Sequence, residues 1–137
     1  MNTATFELDP RLAADSAFVA DGPLSQVRLM DDTRFPWLLL VPRVAGAAEW
    51  IDLDGNRQRL LLAEVNQVSQ LLRVEPGVEK LNIGALGNIV RQLHVHLVGR
   101  HAGDAAWPGP VWGSGVAVRH APDALQAAAA RWRSRLG

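Results

Sequence analysis

The hydropathy pattern of this chain changes period twice along its length, and that order of periods restricts the fold more than any other feature. Residues 16–20 (SAFVA) lead into the turn cluster Asp21-Gly22-Pro23, and residues 26–30 (QVRLM) alternate polar and apolar side chains, which predicts a hairpin. Asp31-Asp32-Thr33-Arg34 interrupts the pattern. Then comes Pro36-Trp37-Leu38-Leu39-Leu40-Val41-Pro42, an apolar run between prolines that suits a strand buried on both faces. From residue 54 to 73 the spacing becomes helical, with Leu61, Val65, Val68 and Leu72 on one face and Asp52 or Asp54 able to cap the start. Glu75-Pro76-Gly77 ends this helix, because proline cannot continue the hydrogen-bond ladder. Two further extended stretches, 79–83 and 92–97, flank the loop Gly84-Ala85-Leu86-Gly87-Asn88. Residues 100–115, with Pro108 and Pro110, read as irregular. Pro122-Asp123 opens an alanine-rich helix running to Leu136. Strands and helices are segregated without βαβ alternation. The expected fold is therefore α+β: a five-stranded antiparallel sheet, one main helix and a C-terminal helix over about 122–136.

Size and charge narrow the class. A chain of 137 residues that is 48% hydrophobic fits one domain, residues 1–137, with one core. Basic and acidic residues number 14 each, so no global field would draw in a nucleic acid, and any phosphate binding has to be local. The absence of cysteine rules out disulfides, thiolate metal sites and cysteine nucleophiles. The N-terminal residues include acids and lack an apolar core behind a basic start, which does not resemble a secretion signal. No apolar run approaches the roughly 20 residues that span a bilayer. Cytoplasmic residence, with no membrane partner, is the expectation.

The segment richest in chemistry is Gln92-Leu93-His94-Val95-His96-Leu97-Val98. In an extended chain, alternation puts Leu93, Val95 and Leu97 toward a core, and Gln92, His94, His96 and Val98 on the opposite face. Two imidazoles thus stand together on a rigid element. A neutral imidazole is a good nucleophile toward phosphorus and leaves again when water attacks the adduct, provided a neighbour fixes the lone pair on the attacking nitrogen. A second imidazole can donate to a phosphoryl oxygen as charge builds. The same His-x-His spacing also suits metal ligation, although His101 and His120 fall at no obvious ligand spacing. A lone histidine on a strand is usually only a half-buried polar residue; the pair opposite an apolar face argues for more.

These residues resemble the signature of the histidine triad family, in which three histidines occupy alternate positions before apolar residues, with Gln92 here in place of the first. The surroundings resemble it too: Asn82 and the glycine-bearing loop precede the segment, Gly99-Arg100 follows it, and Trp107-Pro108 is similar to a tryptophan-proline element found after the signature in many members. The signature region covers about 79–113, and the likeness extends over about 16–113. It implies that His94 is the nucleophile, that His96 assists at the phosphate, and that Asp31 (or else Asp32) contacts the ribose hydroxyls. Asn82, Gly87 and Asn88 would meet phosphate and ribose.

Trp107 would lie by the nucleotide, with Trp112 in the same loop; both could equally close a dimer interface or anchor the loop. Gln92 cannot titrate near neutrality, but its amide can still hold a neighbour in place. Trp37 stands where many members carry another histidine; Trp37, Trp50 and Trp132 read as packing or surface aromatics. Trp132 shares a helical face with Leu125, Ala129 and Leu136, whereas Arg131, Arg133 and Arg135 read as solvated.

The resemblance further implies a homodimer that acts on a small-molecule nucleotide. Its activity would be hydrolysis or transfer at the α-phosphate of a dinucleoside polyphosphate or nucleoside phosphoramidate, through a nucleotidyl intermediate on His94. No cofactor is required for the nucleophile, and magnesium could accompany a polyphosphate. The alternatives are a nucleotide sensor or adaptor with little turnover, and a mononuclear metalloprotein using His94 and His96.

Overall fold

Six consecutive buried residues, Trp37–Pro42, form β3, the middle strand of the sheet in the computed structural model, which describes residues 5–137. On one side of it lies the hairpin of β1 (Ser16–Asp21) and β2 (Ser25–Met30); on the other lie β5 (Val95–Arg100) and then β4 (Lys80–Gly84). The order β1-β2-β3-β5-β4 makes one antiparallel sheet of five strands. Between β3 and β4 the chain makes a short 3-10 turn, Trp50–Asp52, and then α2, Gly55–Arg73; α3, Pro122–Leu136, closes the chain.

The expected α+β order is observed, with one addition. A six-residue helix α1, Pro10–Asp15, precedes β1. Its signal is local: the Asp9 carboxylate accepts the Arg11 N–H at 2.8 Å, and Pro10 sits at the first helical position, where its missing donor costs nothing. Asp54 caps α2 in the same way, accepting from the Arg57 N–H at 2.8 Å.

Register sorts the side chains into two layers. Leu38 faces Leu97 and Leu40 faces Val95 across β3 and β5; these residues join Leu61, Val65, Val68 and Leu72 of α2 and Ala129 and Trp132 of α3 in the larger core. Leu39, paired with His96, points the other way, as do Trp37, Val41 and Val98, which meet Leu12 of α1, Phe35 and Val111. Glu64 is a buried exception on α2. Its Oε2 accepts the N–H groups of Leu24 and Ser25, both at 3.0 Å, and closes the β1–β2 turn. A Cβ on Gly22 would come within 2.5 Å of that oxygen, so any side chain there would push the carboxylate off the turn. Among the described residues, no helix is long and apolar enough to cross a membrane.

Candidate functional site

Alternation carries His94 and His96 onto the face away from α2 and α3. The β5 ladder begins only at Val95, yet Leu93 donates its N–H to the Ala47 carbonyl at 3.0 Å and stays in the larger core, so His94 keeps the phase of the strand. The two rings lie 4.8 Å apart, centroid to centroid, and both line a cleft of about 590 Å³, a volume ordinary for a small-molecule site. Both are largely buried, each 6% exposed.

Their partners fix opposite protonation patterns. The Nδ1 of His94 lies 2.6 Å from the Gln92 main-chain carbonyl oxygen, which can only accept, so Nδ1 carries the proton and the lone pair is on Nε2. His96 is the converse: the Trp37 indole, a donor only, gives its Nε1–H to His96 Nδ1 at 3.0 Å, which leaves the ring proton on Nε2. Burial, with a smaller contribution from repulsion by His94, pushes the His96 pKa down to about 3, so this ring stays neutral at physiological pH. Trp112 closes over it edge-on, with centroids 5.4 Å apart. Opposite His96 stands Gly84, where an added Cβ would meet the Trp112 ring at 3.3 Å. One ring therefore offers an electron pair and its neighbour a hydrogen-bond donor.

The rest of the cleft is made by loops tied together with polar bonds. Residues 113–119 lie along the β2–β3 connection: the Thr33 N–H donates to the Val118 carbonyl at 2.7 Å, Arg34 Nη1 to the Ser114 carbonyl at 2.8 Å, and the Val118 N–H to Asp32 at 3.3 Å. Arg34 engages both Asp32 oxygens, with Nη2 at 2.9 Å from Oδ2. Asp31 borders the same cleft. Its Oδ1 accepts the backbone N–H and ring Nδ1 of His120, at 2.8 and 2.9 Å, while Oδ2 meets only Arg119, at 3.3 Å. Burial by itself would raise the Asp31 pKa, but the His120 hydrogen bonds and the Arg119 charge outweigh it and hold the carboxyl below the usual range. Gly87, whose φ of +68° suits a residue without Cβ, and Asn88 line the opposite wall.

Three expected residues lie elsewhere. Gln92 precedes the ladder at a bend, and its carboxamide turns to the backbone of Glu7 and Asp9 instead of the cleft. Asn82 is on the histidine face but nearer the far end of β5; it pairs with Val98, and its oxygen accepts from Arg100 Nη1 at 2.8 Å. Trp107 lies over the same guanidinium, 5.6 Å from ring centroid to Cζ, outside the cleft. Arg100 is buried because Asp104 engages it at 2.7 Å and Phe35 flanks its other side. Trp107 and Asp104 thus anchor that loop at Arg100, while Trp112, the other of its two tryptophans, faces the cleft.

Sequence reasoning overlooked Trp37, read as a packing aromatic, and His120, which had no assigned place. The first becomes apparent only in the register of β3 and β5, which puts it in phase with Leu39, the partner of His96. His120 had no usable signal, because its contact with Asp31 spans 89 residues of sequence. Of the α3 arginines, Arg131 and Arg133 are exposed as expected and Arg135 is half-buried; Arg131 and Arg135 both close on Glu75 just after α2 and flank the Trp132 ring. Among the described residues, no group of three or more His, Cys, Asp or Glu is placed to hold a metal ion.

Known proteins share this fold. The family model described as the HIT domain matches residues 11–103. A histidine triad protein from Bradyrhizobium japonicum is 43% identical, with a TM-score of 0.91 over 98% of this chain and 100% of that one. One from Sinorhizobium meliloti 1021 is 46% identical, with a TM-score of 0.88 over 96% of this chain and 95% of the other. A third, from Marinobacter aquaeolei VT8, is 41% identical, with a TM-score of 0.92 over 97% and 96%. No curated protein matches the chain. With the paired imidazoles, the antiparallel sheet that carries them and the extent of these matches in agreement, the chain belongs to the histidine triad (HIT) family.

Proposed function

We propose that this protein is a hydrolase or transferase acting at a nucleotide α-phosphate through a nucleotidyl-His94 intermediate. The observation that carries the reading is the complementary tautomers of His94 and His96 at one cleft. The Nε2 lone pair of His94 forms the bond to phosphorus as the bond to the leaving group breaks, and that group departs with the electron pair and takes its proton from solvent. The ring becomes cationic, and its Nδ1–H remains on the Gln92 carbonyl. His96 donates Nε2–H to a non-bridging oxygen where charge accumulates. Water, which releases a proton to solvent, or an acceptor phosphate then attacks phosphorus, and the P–N electron pair returns to Nε2.

Asp31 is the carboxylate best placed for ribose hydroxyls, because its Oδ2 has only the long Arg119 contact, whereas Asp32 is held at both oxygens by Arg34. Gly87 and Asn88 would border the phosphates, and Trp112 replaces Trp107 as the aromatic wall. Dinucleoside polyphosphates and nucleoside phosphoramidates are the substrate classes that fit this chemistry. Magnesium would enter as the counter-ion of a polyphosphate. The homodimer and the cytoplasmic setting that the family resemblance implies belong to the same reading.

The test is to mix the protein with a diadenosine polyphosphate or adenosine phosphoramidate, quench in alkali and weigh the intact chain. A nucleotidyl adduct that is acid-labile and absent from His94→Ala, whose turnover falls by about 10⁴-fold or more, is the expected result. Tight nucleotide binding with neither adduct nor product would overturn it in favour of a sensor.

A further inference from the structure

Gln92 stands at a bend two residues before His94, outside the β5 ladder. Its carboxamide makes two bonds to one short stretch of backbone. Nε2 donates to the Glu7 carbonyl at 2.8 Å, and Oε1 accepts the Asp9 N–H at 2.9 Å. A carbonyl and an N–H two residues apart are what one strand offers to its neighbour, and a carboxamide presents a donor and an acceptor side by side to match them. The two nitrogens of an imidazole point away from each other, so a histidine at this position would reach only one of the pair.

The main chain of the same residue performs a second task, since its carbonyl receives the Nδ1–H of His94 at 2.6 Å. Side chain and carbonyl share one Cα. The N–H of that same peptide belongs to Leu93 and donates to the Ala47 carbonyl at 3.0 Å, so the carboxamide sets the freedom left at the peptide's Gln92 end.

The segment it grips is itself anchored to the site. Asp9 caps α1 through the Arg11 N–H, and Arg11 Nη1 donates to the Ile89 carbonyl at 3.0 Å, in the loop that forms one wall of the cleft. Leu12 and Asp15 of α1 line the cleft directly. Residues 7–9, the bend at 92 and the loop at 89 thus form one closed circuit of bonds around His94.

We propose that Gln92 is a positioning residue that couples the N-terminal segment, residues 7–9, to the tautomer of His94. With both amide bonds in place, the Gln92 carbonyl stays aimed at Nδ1 and the reactive lone pair stays on Nε2. When they are lost, the peptide is held only by the Leu93–Ala47 bond and rocks about it, Nδ1 loses a fixed acceptor, and the tautomer protonated on Nε2, which cannot attack, gains population. The tautomer claim stands on geometry alone; its kinetic consequence rests on the reading of His94 as nucleophile.

Nitrogen-15 NMR of the histidine rings in the full-length, ligand-free protein measures this directly. The wild type should show His94 protonated at Nδ1. Gln92→Ala should move both ring nitrogens toward the averaged shifts of a tautomer mixture. Asp9→Pro removes the N–H donor at a residue whose φ of −56° already suits proline, and it should give the same displacement. The double variant should add nothing further, since both changes open one circuit. Adduct formation should slow by roughly 10- to 100-fold in each, with KM unchanged. If either variant folds and keeps His94 wholly in the Nδ1–H form, the proposal is overturned. A wild type that gives the expected shifts but never forms an adduct would refute the nucleotidyl reading and leave this one standing.

Discussion

On the side covered by α2 and α3, the sheet buries Leu38, Leu40, Val95 and Leu97 against helix residues such as Leu61, Val68 and Trp132, with Glu64 as a polar exception at its rim. On the other side Leu39, Val41 and Val98 share the surface with Trp37, His94 and His96, and the cover is the short helix α1 and loops, with polar bonds such as Trp37 to His96 and His120 to Asp31 fixing the site. The first face draws its free energy from apolar area, which has no direction and is spread over many neighbours. The second depends on directional bonds in which each donor has one acceptor. A substitution on the helical face should therefore change how stable the protein is, and one on the cleft face should change which atom carries a proton.

The strongest challenge to this division is Trp132→Ala. That side chain is almost wholly buried between α3 and the sheet, so its loss should cost about 3–5 kcal/mol in urea unfolding, while His94 in the folded fraction keeps its Nδ1 proton. A loss below about 1 kcal/mol would mean that the helical face does not supply the bulk of the stability.

His96 should show the opposite behaviour, in pH dependence. Its pKa is lowered from an unfolded value of 6.5 to about 3, so above pH 6.5 the ring is neutral in both states. Between those values the unfolded chain takes up a proton that the folded one refuses, and stability falls as pH falls. Across pH 6 to 5 the wild type should lose up to about 1.4 kcal/mol per pH unit more than His96→Gln does. Equal slopes for the two proteins would remove the claim that burial keeps this ring neutral.

Trp37→Phe should have the smallest effect on stability, about 1 kcal/mol for one hydrogen bond, because the aromatic bulk is retained. The His96 ring would nonetheless lose the donor that keeps its proton on Nε2, and its nitrogen-15 shifts should move toward a mixture. Unchanged shifts would show that the indole only packs there.

Much of the architecture could be read directly. Alternation and helical spacing are local properties, so the five strands, their segregation from α2 and α3, and the shared face of His94 and His96 all follow from the order of apolar residues. Helix α1 was equally readable from Asp9-Pro10, a cap followed by a first-turn proline, although six residues give no hydropathy period to draw attention to it.

What sequence could not decide is where a polar side chain finds its partner. Gln92 has the phase of the histidines, but the ladder starts three residues later, and its amide bonds a segment 83 residues away. Asn82 lies on the histidine face, and Arg100 claims it; Trp107 has the right neighbour in Pro108, and the same arginine draws it off the cleft. Trp37 looked like packing until β3 and β5 came into register. Periodicity tells which way a side chain points because it depends on a few neighbouring torsions. A hydrogen bond depends on two groups meeting within about 3 Å, and for distant residues only the folded chain sets that distance.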